Sequence, residues 1–109
     1  MAGRLERGEV RLIRFPAPDK ERPALILTRG SAIPYLSWVT VAPITSSIRG
    51  VPSEVVLDVD DGMKQRCAVN LHNMATVNQA ATGRRLAQLG KARMQAVCRA
   101  IDFALGCQD

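Results

Sequence analysis

The chain has 109 residues and 47% hydrophobic content, enough to bury one real core and too little for two, so a single domain over 1–109 is expected. Fifteen Lys and Arg against ten Asp and Glu give a net charge of +5 and a pI near 9.7, mostly from arginine, which grips phosphate bidentately. That balance favours a polyanionic partner, the alternative being a soluble basic surface with no partner. No apolar run approaches the roughly 18 residues of a membrane span, and Met1 to Arg11 is charged with no apolar signal region. A cytoplasmic protein without membrane contact is therefore expected. Cys67, Cys98 and Cys107 are odd in number, lack CxxC spacing and have one histidine for company, so they read as reduced core or surface thiols.

In chain order, Gly8 to Phe15 alternates at Val10 and Leu12 and predicts a first strand. The loop from Phe15 to Arg22 holds two prolines and four consecutive charges, and Pro23 biases Arg22 towards an extended backbone. Pro23 to Thr28 is a continuously apolar second strand. Arg29 to Leu36 is a turn or a short helix. Trp38 to Ala42 is β-branched and aromatic with apolar residues on both faces, a buried strand expected to end at Pro43, which lacks a backbone donor. Behind it, Thr45 and Ser46 are hydroxyls at a strand end, where they either satisfy turn backbone or bind phosphate.

Glu54 to Asp58 reads as a fourth strand. The acidic turn Asp58, Asp60, Asp61, Gly62 does not follow EF-hand spacing, so no metal is assigned to it, and no cofactor is implied elsewhere. Cys67 to Leu71 and Met74 to Val77 read as a strand pair around His72 and Asn73. From Lys91 to Leu105 the apolar stripe Met94, Val97, Cys98, Ile101, Leu105 predicts a helix, with Gly90 as N-cap and Gly106 closing it. Five or six short strands and a terminal helix describe a mainly β fold, a small, strongly bent sheet or barrel with the helix laid on it.

With these segments in order, the chain resembles the MazF/PemK (Kid) toxins of bacterial type II toxin-antitoxin pairs over about Arg7 to Gly106. The resemblance is carried by Arg7-Gly8-Glu9-Val10, Arg22-Pro23-Ala24-Leu25-Ile26-Leu27, Val41-Ala42-Pro43-Ile44-Thr45-Ser46, Pro52-Ser53-Glu54-Val55-Val56-Leu57 and Cys67-Ala68-Val69-Asn70. It implies an SH3-like β-barrel that forms a homodimer, a metal-independent and sequence-selective endoribonuclease acting on single-stranded RNA, and a cognate antitoxin that silences it. Arg22 and Thr45 match the residues held responsible for cleavage. Their chemistry suits attack of a ribose 2′-hydroxyl on the adjacent phosphate, because a guanidinium and a hydroxyl stabilise the charge that builds on the non-bridging oxygens.

The chain departs from its relatives at Asn70, where PemK has an arginine, and at His72-Asn73, where many members carry an acid followed by Gln or Asn. Arginine stays charged and is a poor base. Some other group, or water, takes the 2′ proton, and the third catalytic candidate is His72, which is either a structural hydrogen-bonding residue or, at the groove rim, takes that proton or contacts a base. Expected RNA contacts are Lys20, Ser46, Ser47, Arg49, Asn70 and Asn73, with Asn78 a further base reader. Arg14, Arg66, Arg84 and Arg85 are candidate groove cations, and with few aromatic residues in the chain, sequential base stacking has little support. Trp38 is assigned to the core or to a dimer interface. For the antitoxin, an acidic segment lying across the basic groove and displacing the Phe15 to Arg22 loop is expected. The competing readings are a non-catalytic SH3-like module that binds nucleic acid or a peptide, and a toxin relative that has lost activity.

Overall fold

The computed structural model describes residues 5–16 and 20–107. Residues 17–19, the middle of the charged loop assigned to antitoxin displacement, lie outside the described residues. Among those described, seven strands precede one helix: β1 (Glu9–Arg14), β2 (Glu21–Ile26), β3 (Trp38–Thr45), β4 (Glu54–Leu57), β5 (Cys67–Asn70), β6 (Ala75–Asn78), β7 (Thr82–Gln88) and α1 (Lys91–Leu105). They form one curled, half-barrel sheet in the order β4-β5-β3-β2-β1-β7, with β6 also pairing to β3. A short 3-10 turn at Ile33–Tyr35 fills the segment read as a turn or short helix.

Continuous apolar runs in β2 and β3 follow from burial on both faces. Ala24 and Ile26 enter one cluster with Ile13, Ile33, Val39 and Val41, while Leu25 enters the other with Val10, Ala42, Ile44, Leu57, Val69 and Val97. Neighbouring residues thus serve opposite cores, as side-chain alternation along a strand requires. α1 closes the second of these through Val97 and Ala100.

Three expectations are corrected. First, β3 does not stop at Pro43 but continues to Thr45. The Leu27 N–H donates to the Thr40 carbonyl, so the even-numbered residues of β3 face β2 and Pro43 nitrogen faces the opposite edge. On that edge β6 pairs with residues 38 to 41 and β5 with 44 and 45, and Pro43 falls in the gap between them, where no donor is needed. Second, β5 and β6 do not pair with each other; both hang on β3, separated by a 3-10 turn at Leu71–Asn73. Third, a seventh strand, β7, runs through Thr82–Gln88, a segment to which the sequence pattern assigns no element.

The helix has the expected ends, Gly90 extended and Gly106 left-handed at φ 61, but its buried face is rotated. Val97 and Ala100 are buried, with Met94, Ile101 and Ala104 packed beside them, while Cys98 and Leu105 are exposed. Trp38 lies outside the core at 57% exposure, near exposed Tyr35 and Leu36.

Candidate functional site

The β2 to β3 register pairs Ala24 with Pro43. Continued by two residues, it brings Arg22 opposite Thr45, both half-buried where the two strands leave the core. Two clefts open on either side of this pair. The larger, about 620 Å³, has an apolar floor that includes Leu12, Pro23, Ile44 and Leu86, and a rim carrying Lys64, Arg84 and Arg85. The smaller, about 300 Å³, is polar and is lined by Pro43, Ser47, Arg49, Glu54, Asn70 and Asn73. Arg22 and Thr45 are the two residues that line both.

Local hydrogen bonds explain how each rim is held. The Ser47 backbone N–H donates to Thr45 Oγ1 at 3.0 Å. Glu54 Oε1 accepts from the backbone N–H groups of Arg49 (3.0 Å) and Gly50 (2.9 Å), folding the 46–50 loop back over the strand end. Asn70 Oδ1 accepts from the His72 N–H at 2.9 Å and so caps the 3-10 turn that carries His72 and Asn73.

Of the sequence candidates, Ser46 lines the larger cleft and Ser47, Arg49, Asn70 and Asn73 the smaller. Lys20, Arg14, Arg66 and Asn78 line neither. His72 also lines neither; its ring nitrogen Nε2 shares a hydrogen bond with Oγ of the fully buried Ser53. Sequence reasoning passed over Met63, Lys64 and Gln65, which follow the acidic turn directly, and Glu54, whose position four and five residues beyond Gly50 and Arg49 is the signal of a loop-folding acceptor.

The acidic turn behind the larger cleft is a structural device. Asp58 and Asp61 form a reciprocal cap, and Arg93 of α1 donates from Nε to Asp61 Oδ1 at 2.9 Å. Burial alone would raise the Asp61 carboxyl, but the hydrogen bond and charge of Arg93 and the bonds from Asp58 together hold it below its ordinary value. Burial, reinforced by Asp61 and Asp58, pushes the Cys67 thiol up. Among the described residues no group of His, Cys, Asp and Glu is arranged to hold a metal ion.

The family model for the PemK-like, MazF-like toxin of type II toxin-antitoxin systems matches residues 6–105. The chain belongs to the PemK-like, MazF-like toxin family. It is 44% identical over 87 residues to the probable endoribonuclease MazF5 of Mycobacterium tuberculosis, covering 79% of this chain and 80% of that protein. It is 39% identical over 95 residues to endoribonuclease MazF3 of the same species, 87% of this chain and 92% of that one. Among solved structures, Mycobacterium tuberculosis toxin MazF-mt6 superposes with a TM-score of 0.83 at 36% identity, over 90% of this chain and 96% of that one. The half-barrel with its terminal helix is thus the MazF toxin fold, and the paired clefts lie within the matched span.

Proposed function

We propose that this chain is the endoribonuclease toxin of a type II toxin-antitoxin pair, its 109 residues acting as one domain, and that it cuts single-stranded RNA at a phosphate seated between Arg22 and Thr45. The observation that carries the reading is that these two residues are common to both clefts. An RNA strand crossing from one cleft to the other brings a phosphodiester against a guanidinium and a hydroxyl at the crossing point.

The 2′-oxygen attacks phosphorus, the bond to the 5′-oxygen breaks, and the products are a 2′,3′-cyclic phosphate and a 5′-hydroxyl end. The 2′ proton leaves as the attack proceeds, and a proton goes to the departing 5′-oxygen. The Arg22 fork and the Thr45 hydroxyl donate to the non-bridging oxygens as their charge grows, the type of contact worth about 10² to 10³ in rate. Removing the 2′ proton, or meeting a base, is the role assigned to His72; with Nε2 held by Ser53, either would run through Nδ1. Ser46, Ser47, Arg49, Asn70, Asn73 and Lys20 make up the proposed RNA contacts.

The same basic groove is the proposed seat of the antitoxin, an acidic segment displacing RNA, and the active form is a homodimer in the cytoplasm. No helix of the described residues is long and apolar enough to cross a membrane. The test is cleavage of a long, largely unstructured RNA in EDTA by wild type, Arg22→Ala and Thr45→Ala, with the cut ends mapped. Discrete cuts abolished by both substitutions are expected; binding without cutting by wild type would move the assignment to a non-catalytic module.

A further inference from the structure

We infer that β7 is a second phosphate-gripping wall of the groove, and that a buried ion pair on β1, Glu9 with Arg11, is the device that aims it. The identity of the polyanion rests on the ribonuclease reading above; the wall itself rests on the geometry of one strand. In a regular strand, successive side chains point to opposite faces. Arg84, Arg85 and Leu86 are consecutive, yet all three line the larger cleft.

Register explains how. Val10 pairs with Ala87, Arg11 with Arg85 and Ile13 with Thr82, so β7 carries an extra residue on each side of Arg85. Two irregularities within seven residues re-aim side chains that a flat strand would turn away. Each also lifts backbone groups out of the ladder. One of them, the Gly83 carbonyl, accepts from Arg11 Nη1 at 2.9 Å. At Gly83 the two strands run so close that a Cβ would stand 3.1 Å from the Leu12 carbonyl oxygen.

Arg11 and Glu9 are 8% and 3% exposed. Arg11 Nε donates to Glu9 Oε1 at 2.9 Å and Nη2 to Oε2 at 3.3 Å, while the Glu6 N–H holds Oε1 at 2.8 Å. A buried ion pair of this kind is weak evidence for stability, because apolar residues of the same volume often serve as well. Its distinctive product here is positional: Arg11 reaches across to β7, and Glu9 Oε2 stands 3.8 Å from Nη1 of Arg85. Arg84 is exposed and has no ion pair among the described residues. With Lys64 also in the lining and no carboxylate there, the cleft fits one nucleotide, its base on Leu12, Ile44 and Leu86 and its phosphate against the arginines.

The test is the salt dependence of binding to a short single-stranded oligonucleotide, 2′-O-methylated throughout so that it cannot be cut. Arg84→Ala and Arg85→Ala should each lower the slope of log K against log salt by about 0.7, the value for one phosphate contact on a single strand, and weaken all sequences alike. Arg11→Met, which lies outside the cleft, should lower the slope as well, and should add nothing once Arg84 and Arg85 are both removed. Because Arg11→Met leaves Glu9 unpaired, Gly83→Ala provides a second route to the same displacement, and urea unfolding of each variant confirms that the binding measured is that of folded protein.

Unchanged slopes for Arg84→Ala and Arg85→Ala overturn the wall. Normal slopes for both Arg11→Met and Gly83→Ala overturn the aiming device. If wild type cuts RNA while the slopes stay fixed, only this inference falls. If the slopes drop as expected but wild type cuts nothing, the ribonuclease reading falls and the wall stands.

Discussion

Ser53 Oγ, in a side chain with no exposure, shares its hydrogen bond with Nε2 of His72, an exposed residue of the 3-10 turn after β5. The bond clips the 3-10 turn of residues 71–73 to the start of β4, alongside the bond from the Leu71 N–H to the Ser53 carbonyl at 2.9 Å. His72→Ala leaves a buried hydroxyl without its partner, and urea unfolding should show a loss of about 1 to 2 kcal/mol. Cleavage should also change. A slower rate with unchanged cut sites marks a proton acceptor, and a shifted cut-site preference marks a base contact. A wild-type rate and preference, with only the unfolding midpoint lowered, would reduce His72 to a clip.

Thr45 Oγ1 accepts from the Ser47 N–H, which occupies an acceptor site and leaves the hydroxyl hydrogen to donate into the clefts. Thr45→Val keeps the shape and removes the donor. Single-turnover cleavage should fall about 10² to 10³-fold with little change in RNA affinity, and Thr45→Ser should restore most of it. Arg22→Lys keeps the charge but not the planar fork, so it should recover only part of the rate lost in Arg22→Ala.

Acid should loosen the link between α1 and the 58–62 turn. Asp61 titrates below its ordinary value of 3.8, so it binds fewer protons folded than unfolded near that pH. Its contribution to stability is fully present above that value and is lost as pH falls through the lowered one. Asp61→Asn should cost on the order of 1 kcal/mol at neutral pH, a modest figure because Arg93 is 40% exposed and screened by water. The same variant should flatten the stability profile below about pH 4, which unfolding curves collected from pH 2 to 7 would show.

The three thiols should separate by reactivity. Cys98 and Cys107 are exposed, whereas Cys67 is buried in β5 with its thiol pushed up by burial and by the nearby carboxylates. Thiol labelling of the native protein should modify Cys98 and Cys107 promptly and Cys67 only as the chain unfolds. Equal rates at all three positions would contradict the packing of β5.

Much of this was legible in the sequence. β2 and β3 announced themselves by apolar runs and α1 by its periodicity and its two glycines, while Arg22 and Thr45 were paired by the family resemblance rather than by any local pattern. What escaped has physical causes. β7 reads Thr82-Gly83-Arg84-Arg85-Leu86-Ala87-Gln88, and its two irregularities replace single alternation with pairs of like exposure, so no period of two exists to be found. Pro43 looked like a terminus because its missing donor is harmless only when two different partners share one strand edge, a fact of assembly rather than of local sequence. The helical stripe was misplaced because Ala96, Ala100 and Ala104 carry little hydrophobic weight yet pack in or against the core. His72 drew attention as a lone titratable group, but nothing in its neighbours in sequence signals the buried hydroxyl of Ser53.

The central residues of β2 and β3, Ala24, Leu25, Ile26, Val41 and Ala42, have no exposure and are gripped from both sides by separate cores. Their amide hydrogens should exchange with solvent only when the whole molecule opens. Arg22 and Thr45 stand two and three residues from this anchored centre, whereas Ser46, Ser47, Arg49 and Asn73 sit on exposed segments held by a few local hydrogen bonds. If cleavage runs through Arg22 and Thr45 as proposed, bond breaking is mechanically separate from the exposed segments proposed to choose the RNA. On that proposal, substitutions in the exposed segments would retune the recognised sequence, and through it the set of transcripts at risk, while Arg22 and Thr45 stay fixed.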